Sequence, residues 1–330
     1  MKTKHISYIL ALGISLLIYS CENVIEFSGK TTKPLLVVNG FISPDSLIKV
    51  HVSKSKFFLQ DNSSYESVNN ATVNVWVNGT KTEKLVNIGE GYYQASFKPQ
   101  IGTVIKITAE NTEFSEVSTY TDVVAPNPIL SADTTNHIFK EYPNIDRTSQ
   151  NGVVTLDTMG FSKFEDFDVH IKFKDPANQA NFYKLNLKIL NHYDNDSTTL
   201  NSTWFSSDDI VFGNGNTSGP FDTGSYSYDH EFSDELFNGK EYKLKLTFGI
   251  TTYIYKDKTL NKEQKTPLKQ ELYIELQSIS ESYFKYIRSR STSAGTIEFF
   301  SEPVQIFSNV SGGIGILGSY SSSVYKIQLK

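Results

Sequence analysis

The chain has 330 residues, of which 38% are hydrophobic and 20% charged, and its formal net charge is -5. This acidic balance excludes a generally basic nucleic-acid-binding protein, so no nucleic acid is expected among its partners. Aromatic residues make up 13% of the chain, which is typical of strand-rich globular proteins and excludes a disordered chain. The length allows two domains of about 150 residues each.

The first twenty residues have the pattern of a secretory signal. Lys2 and Lys4 precede an apolar run over residues 6–19, which is too short for a membrane span. Cys21, the only cysteine of the chain, stands where a bacterial lipobox places the lipidated cysteine, although Tyr19 is larger than the residue usual before it. We therefore predict a signal peptide over 1–20 and lipidation at Cys21, so that membrane lipid is a partner through the acyl chains, palmitate among them. The alternatives are a buried thiol or an uncleaved anchor.

Residues 21–33 are polar and irregular, which predicts a tether. From residue 34 short alternating strands follow at close spacing, and Asn78-Gly79 marks a hairpin turn that needs positive φ. This pattern predicts a β-sandwich domain over residues 34–125. Pro126 and Pro128 end it, since prolines interrupt a sheet.

Residues 126–330 form the second predicted domain, which is mainly antiparallel strand. The clearest period-two run covers residues 242–250. Residues 194–229 are rich in small polar side chains and predict long loops. One helix is predicted near 278–291, because Ser278 and Glu281 have the spacing of a capping box.

Several stretches resemble one family, and they cover nearly the whole chain except the segments around 130–160 and 194–229. These stretches are Lys33–Gly40, Gly91–Tyr93, Phe173–Pro176, Asn181–Tyr183, Phe232–Lys240, Tyr283–Arg288, Pro303–Val310 and Gly312–Gly315. Together with the lipobox they are similar to the Bacteroidota envelope lipoproteins called domain of unknown function 4249. The resemblance implies an outer-membrane lipoprotein with an immunoglobulin-like first domain, often encoded near TonB-dependent transporters. It implies no catalytic residues.

Two motifs with possible chemistry have a simpler explanation. The stretch from Gly313 to Gly318 fits GxGxxG, but a strand pattern follows it where a dinucleotide site needs a helix, so we predict a glycine-rich turn. Asp194 and Asp196 place oxygen ligands at alternate positions and are weak calcium candidates, with a solvated turn as the alternative. No GxSxG, HExxH or cysteine ligand set occurs. We therefore expect no enzyme, no catalytic residue, no cofactor and no other metal site.

Aromatic residues in predicted loops are the remaining candidates for partner binding. Phe57 and Phe58 precede a polar stretch, and they form a docking patch if exposed or tuck into the core if not. Trp204 and Phe205 lie among serine and aspartate, where they either stack on a sugar or peptide or anchor a loop. We expect partner contacts in the loops 57–70 and 204–222, because the strands are committed to the core.

The expected function is a non-catalytic lipoprotein of the cell envelope, working as an accessory or binding partner of a TonB-dependent outer-membrane transporter. This expectation rests on the family resemblance. The first alternative is a structural or adhesion lipoprotein of the cell surface, and the second is an envelope hydrolase.

Overall fold

Alternating apolar and polar residues produce strands throughout most of the described chain. The computed structural model describes residues 33–56, 65–150, 153–193, 196–212, 230–255, 267–294 and 305–329. The signal, Cys21, Phe57, Phe58 and Asp194 lie outside these residues. The mainly β fold expected from the sequence is confirmed.

The described residues contain seventeen strands and one α-helix. The strands of the first half are β1 (Leu36–Ile42), β2 (Lys49–Lys54), β3 (Thr72–Val77), β4 (Thr80–Lys84), β5 (Val86–Gly89), β6 (Tyr92–Gln94), β7 (Val104–Glu110) and β8 (Val117–Asp122). The elements of the second half are β9 (Ile129–Gln150), β10 (Val153–Lys174), β11 (Phe182–His192), β12 (Thr198–Thr203), β13 (Phe205–Ser206), a 3-10 turn (Ile210–Phe212), β14 (His230–Ser233), β15 (Glu241–Tyr255), β16 (Lys269–Ile279), α1 (Glu281–Ala294) and β17 (Ile314–Gln328).

Three sheets are built from these strands. The longest has the order β12-β11-β16-β17-β1-β2-β6-β5, with β14 also paired to β11. The second has the order β13-β15-β10-β9, and the third β4-β3-β7-β8. The two smaller sheets pack on opposite ends of the long one, so two sandwich-like layers of sheet share it.

Two hydrophobic cores fill these layers. The first gathers buried residues between Leu36 and Val123, and the second gathers buried residues between Ile129 and Leu276. The predicted joint near residue 126 therefore falls between the cores. Val310 and Leu317 nevertheless belong to the first core, so the C-terminal segment returns to the first half of the chain.

Strand β17 connects the two halves. Its first residues pair in parallel with β1, from Val37↔Ile314 to Ile42↔Ser319. Its later residues pair antiparallel with β16, from Ile279↔Tyr320 to Glu271↔Gln328. One continuous strand thus belongs to both sandwiches. Along the strand direction, the start of β1 lies at one end of the long sheet and the end of β17 lies at the other.

Residues 314–318 of the GxGxxG stretch lie inside β17 rather than in a turn between strands, while Gly313 lies in the bend just before the strand. A side chain at Gly313 or Gly315 would collide with the backbone carbonyl of Leu36 or Val38 in the paired β1, and Gly315 has φ +126°. A side chain at Gly318 would begin 2.8 Å from Cβ of Tyr283 in α1. The glycines therefore allow close packing of strand and helix, and the predicted glycine-rich turn is wrong.

The helix begins two residues later than the capping box predicts. Ser280, not Ser278, is the N-cap: its hydroxyl accepts a hydrogen bond from the Tyr283 amide at 3.4 Å and another from the Ser319 amide at 3.0 Å. Ser278 lies in β16, where its hydroxyl accepts from the Asn127 amide at 3.1 Å. Glu281 instead pairs with Lys285 at 2.8 Å, one turn along the helix.

The main difference from the sequence-based prediction is the hairpin of β9 and β10. Each strand has 22 residues, although only residues 167–173 had a recognisable alternation. Residues 194–229 also differ, since their described part contains β12, β13 and the 3-10 turn. By contrast, Asn78-Gly79 forms the expected two-residue turn between β3 and β4, with φ of 49° and 81°.

Candidate functional site

The outer half of the β9–β10 hairpin projects beyond the second core. Up to Tyr255, the last residue described before 267, β15 pairs with β10 as far as Gly160, whereas β9 and β10 remain paired with each other to Gln150↔Val153. Strands β9 and β17 run from the junction of the two halves towards the end of the molecule that lies away from β1, and β10 returns antiparallel to β9. The hairpin tip therefore lies at the opposite end from the tether that precedes residue 33. We call residues 139–161 the arm.

One face of the arm carries most of its apolar side chains, although polar residues stand among them, such as Arg147 opposite Leu156 and Ser149 opposite Val154. Because paired residues of antiparallel strands share a face and neighbours along a strand alternate, Phe139, Ile145, Val154 and Leu156 lie on the same face. Lower in the hairpin this is the face of Phe167 and Val169, which are buried in the second core. The exposed fractions of the four arm side chains are 56%, 56%, 47% and 65%. We call these four residues the distal stripe; it continues the core face of the sheet into solvent.

The opposite face of the arm is mostly polar. Thr148 and Thr155 pair across the strands and their hydroxyls are hydrogen-bonded at 2.9 Å. Asp146 and Asp157 are also directly opposite each other on this face. The arm is therefore an amphipathic ribbon, and exposed apolar residues concentrated on one face are typical of a protein-binding surface.

A second exposed cluster lies on the outer face of the sheet β13-β15-β10-β9. Trp204 lies between β12 and β13. A Cβ atom added at Gly249 would be 3.9 Å from an atom of the Trp204 ring and 3.0 Å from Oδ1 of Asp166, so these three residues are neighbours. Phe164 is the diagonal neighbour of Gly249 on β10, and its ring is 5.7 Å from that of Tyr142 on β9 in an edge-on arrangement. We call Trp204, Phe164 and Tyr142 the aromatic row.

The rest of that outer face carries paired charges, as a solvated face should. Lys245 forms an ion pair with Asp168 at 3.2 Å, and the Thr247 hydroxyl donates to the same carboxylate at 2.7 Å. Lys172 pairs with Glu241 at 2.7 Å, and this pairing lowers the pKa of Glu241. The aromatic row is therefore an apolar interruption of a polar surface.

Phe205, which the sequence grouped with Trp204, has the opposite environment. Its side chain is 3% exposed, its ring stacks on that of His230 with centroids 4.0 Å apart, and it belongs to the second core. The partner-binding role considered for Phe205 is therefore wrong, and its role is that of a core anchor. Alternation explains the split, because Phe205 pairs with the buried Phe248 while its neighbour Trp204 lies on the outer face.

The family-like stretches around Asp175, Asn181 and Phe232 meet at one corner, at the junction of the two halves. The buried carboxylate of Asp175 accepts hydrogen bonds from the Tyr183 hydroxyl at 2.5 Å and the Gly239 amide at 2.9 Å. The Tyr183 oxygen accepts in turn from Asn127 Nδ2 at 3.0 Å. Burial is the main cause that raises the pKa of both Asp175 and Tyr183.

A second carboxylate completes this corner. Asp234 Oδ2 accepts from the side-chain amides of Asn181 at 3.1 Å and Asn238 at 2.9 Å. Beneath the two acids lies a cluster of aromatic rings. Its members are Phe173, Tyr183, Phe232, Phe237 and Tyr242. Both acids are engaged by internal donors, so these residues of the family-like stretches hold the junction together rather than face a ligand.

Glu271 at the distal end of the long sheet has three basic side chains as partners, two of them lysines. Its carboxylate contacts Lys269 at 2.7 Å, Lys326 at 2.9 Å and His192 at 3.2 Å. Hydrogen bonds from the two lysines are the largest causes that lower its pKa, to about 2. The carboxylate thus occupies what would otherwise be an anion-binding cluster.

Of the two calcium candidates, Asp196 lies between β11 and β12, and Asp194 lies outside the described residues. Asp196 is exposed with φ 58°, and its amide donates to the Tyr193 carbonyl at 3.2 Å. Within the described ranges no three His, Cys, Asp or Glu side chains come together as a metal site. Over the same residues, no helix combines the length and the apolar character needed to cross a membrane.

Two solved structures have a weak likeness to the chain. One concerns carbohydrate-binding modules of the β-sandwich superfamily, with 8% identity, 72% of this chain and 100% of that chain covered, and a TM-score of 0.20. The other is a protein from Corynebacterium diphtheriae described as membrane anchored, with 11% identity, coverage of 76% and 55%, and a TM-score of 0.21. No curated protein sequence matches. The family model described as "Domain of unknown function (DUF4249)" matches residues 22–326, which confirms the resemblance found in the sequence: the chain belongs to this family.

Proposed function

We propose that this protein is a non-catalytic lipoprotein of the outer membrane that binds a protein partner through the distal stripe, as an accessory of a TonB-dependent transporter. The single observation that carries the binding role is the apolar face of the arm, where Phe139, Ile145, Val154 and Leu156 stand in solvent. The anchor rests on Cys21 at the end of the signal pattern. The Bacteroidota origin and the immunoglobulin-like character of residues 34–125 rest on the resemblance.

The proportions of the chain support such a role. Twelve residues separate Cys21 from Pro34, and an extended tether of that length spans about 40 Å. The continuous strand β17 then holds the arm at the far end of a molecule whose two halves share one sheet. An apolar surface carried away from the anchor suits capture of a partner that stands above the lipid.

The distal position of the arm also favours a second function, that of a structural or adhesion lipoprotein. A surface protein that holds filaments or matrix needs its contact area at the end away from the membrane. The two functions differ in the partner and share the contact surface.

Affinity purification from solubilised membranes tests both. We expect a barrel transporter to co-purify with the native chain, and Ile145→Ser with Val154→Ser to abolish its recovery, because each serine removes an apolar side chain from the stripe. Val153→Ser is the matched control: it makes the same change in the neighbouring valine, 63% exposed, on the opposite face of the ribbon.

Two outcomes would contradict the proposal. Recovery of filament or matrix proteins instead of a transporter would favour the second function. Recovery of every partner by the doubly substituted chain, with an unchanged unfolding temperature, would place the contact outside the stripe.

A further inference from the structure

The aromatic row is too small for a protein interface. Trp204, Phe164 and Tyr142 are 40%, 37% and 51% exposed, which amounts to roughly 250 Å² of ring surface at about 200 Å² for each side chain. A stable protein contact needs about 800 Å² from each partner. The row therefore matches a ligand of a few rings.

Its place on the sheet limits the class of ligand further. The row crosses the face of the sheet from β15 over β10 to β9, which is the edge strand among the described residues. A peptide that binds by strand addition would pair with the outer edge of β9, beside the sheet, and would reach only Tyr142 of the row. A peptide laid across the face would lose water from its amides without new partners. A saccharide avoids this cost, because its C–H face lies on the rings while its hydroxyl groups point sideways and keep their hydration.

The polar groups beside the rings fit that geometry. Asp166 and the Trp204 ring both lie next to Gly249. The Asp166 carboxylate can accept hydrogen bonds from the hydroxyl groups of a ligand that stacks on the ring. The absence of a side chain at Gly249 makes room for the Asp166 carboxylate beside the indole, and a larger residue there would crowd both groups. Asp168 on the same face is paired with Lys245, and Lys140 lies directly opposite Phe164. The charges near the row are therefore of both signs, which favours a neutral sugar.

We propose that the aromatic row is a binding site for a neutral saccharide, which stacks on Trp204, Phe164 and Tyr142 and donates hydroxyl hydrogen bonds to Asp166. The site is separate from the distal stripe, since Tyr142 and Phe164 lie on the other face of the hairpin. It goes beyond the proposed function and does not depend on it.

Native electrophoresis in gels that contain a polysaccharide tests the site. The probes are laminarin, xyloglucan, galactomannan and amylopectin, and the protein is the full mature chain with Cys21→Ser so that it needs no detergent. We expect at least one polysaccharide to retard the protein, and Trp204→Ala and Tyr142→Ala each to weaken the binding by about tenfold, through loss of one stacked ring. Tyr120→Ala removes a tyrosine that is 66% exposed elsewhere and should change nothing.

Fluorescence supplies a second measurement that does not depend on truncating the row. The chain has two tryptophans, so Trp76→Phe leaves Trp204 as the only indole, and the retarding polysaccharide should shift its emission saturably. Gly249→Leu, which fills the space beside the indole, should remove that shift while far-ultraviolet circular dichroism stays unchanged. Absence of retardation by all four polysaccharides, or retardation that the row variants leave intact, would overturn the proposal.

Discussion

Tyr183→Phe is the most informative single substitution, because it removes one oxygen atom from the corner that joins the two halves. The Tyr183 side chain is 1% exposed, and its hydroxyl both donates to Asp175 and accepts from Asn127. After the substitution Asp175 keeps the Gly239 amide as a donor, and the Asn127 amide loses its acceptor. The aromatic ring and its packing remain.

The expected loss of stability is about 3 kcal/mol. A hydrogen bond to a buried charged group contributes about 1.5–3 kcal/mol, and an amide left without a partner adds about 1 kcal/mol. Tyr242→Phe is the matched control, since its hydroxyl also donates to an aspartate, Asp209, at 2.5 Å, but in a half-buried place. There water can replace the lost partner, so the expected cost is about 1 kcal/mol.

Urea denaturation followed by circular dichroism measures both costs. A loss of about 3 kcal/mol should lower the urea midpoint of Tyr183→Phe by about 1 M, at a slope of about 3 kcal/mol per molar. Equal midpoints for the two variants would refute the reasoning, because burial would then not decide the strength of the bond.

Three further predictions concern the distal acid, the shared strand and the anchor. Glu271→Gln should lower the unfolding temperature at neutral pH and match the native chain near pH 2. The folded pKa of Glu271 is about 2 and its ordinary pKa is 4.5, so the stability from this carboxylate is present above pH 4.5 and lost as the pH falls towards 2. Thermal melts at a series of pH values check this, and a difference that persists at pH 2 would contradict it. Gly315→Ala should lower the free energy of unfolding, measured by urea denaturation, by about 3 kcal/mol, because φ is positive and the new side chain would collide with Val38. Gly102→Ala should lower it by about 1 kcal/mol, because φ is +78° there but the surrounding space is open. Equal losses for the two variants would exclude the collision. Cys21→Ala should move the protein from the membrane to the soluble fraction on cell fractionation, and unaltered membrane retention would exclude the lipid anchor.

Period-two alternation was sufficient to predict the strands that have one buried face. Tyr183, Leu185, Leu187 and Ile189 are buried in turn along β11, as the sequence indicated. The turn at Asn78-Gly79 was equally predictable, because few residues tolerate positive φ in both positions.

The arm was not predictable in this way, because both of its faces meet solvent. Burial no longer selects the residues of one face, and the bulge between Thr158 and Gly160 interrupts the period. A weaker signal was present in the sequence: Val153, Val154 and Leu156 form a β-prone run after Asn151-Gly152, a pair of residue types that is common in turns. The aromatic row could not be predicted without knowing the order of the strands in the sheet. Tyr142, Phe164 and Trp204 are far apart in sequence, and they come together only because β9, β10, β15 and β13 pair in that order.

The sharing of β17 between the sandwiches has a consequence for the order of folding. Strand β1 lies between β2 and β17 in the long sheet. Val37 of β1 pairs with Ile314 of β17, which is 277 residues later in the chain. Such distant pairing closes late, because the loop entropy must be overcome before the contact forms. Both halves therefore remain one strand short until the last part of the chain has emerged from the machinery that makes or exports it. A chain cut before residue 314 would leave the edges of β1 and β16 open together, and open edges promote aggregation.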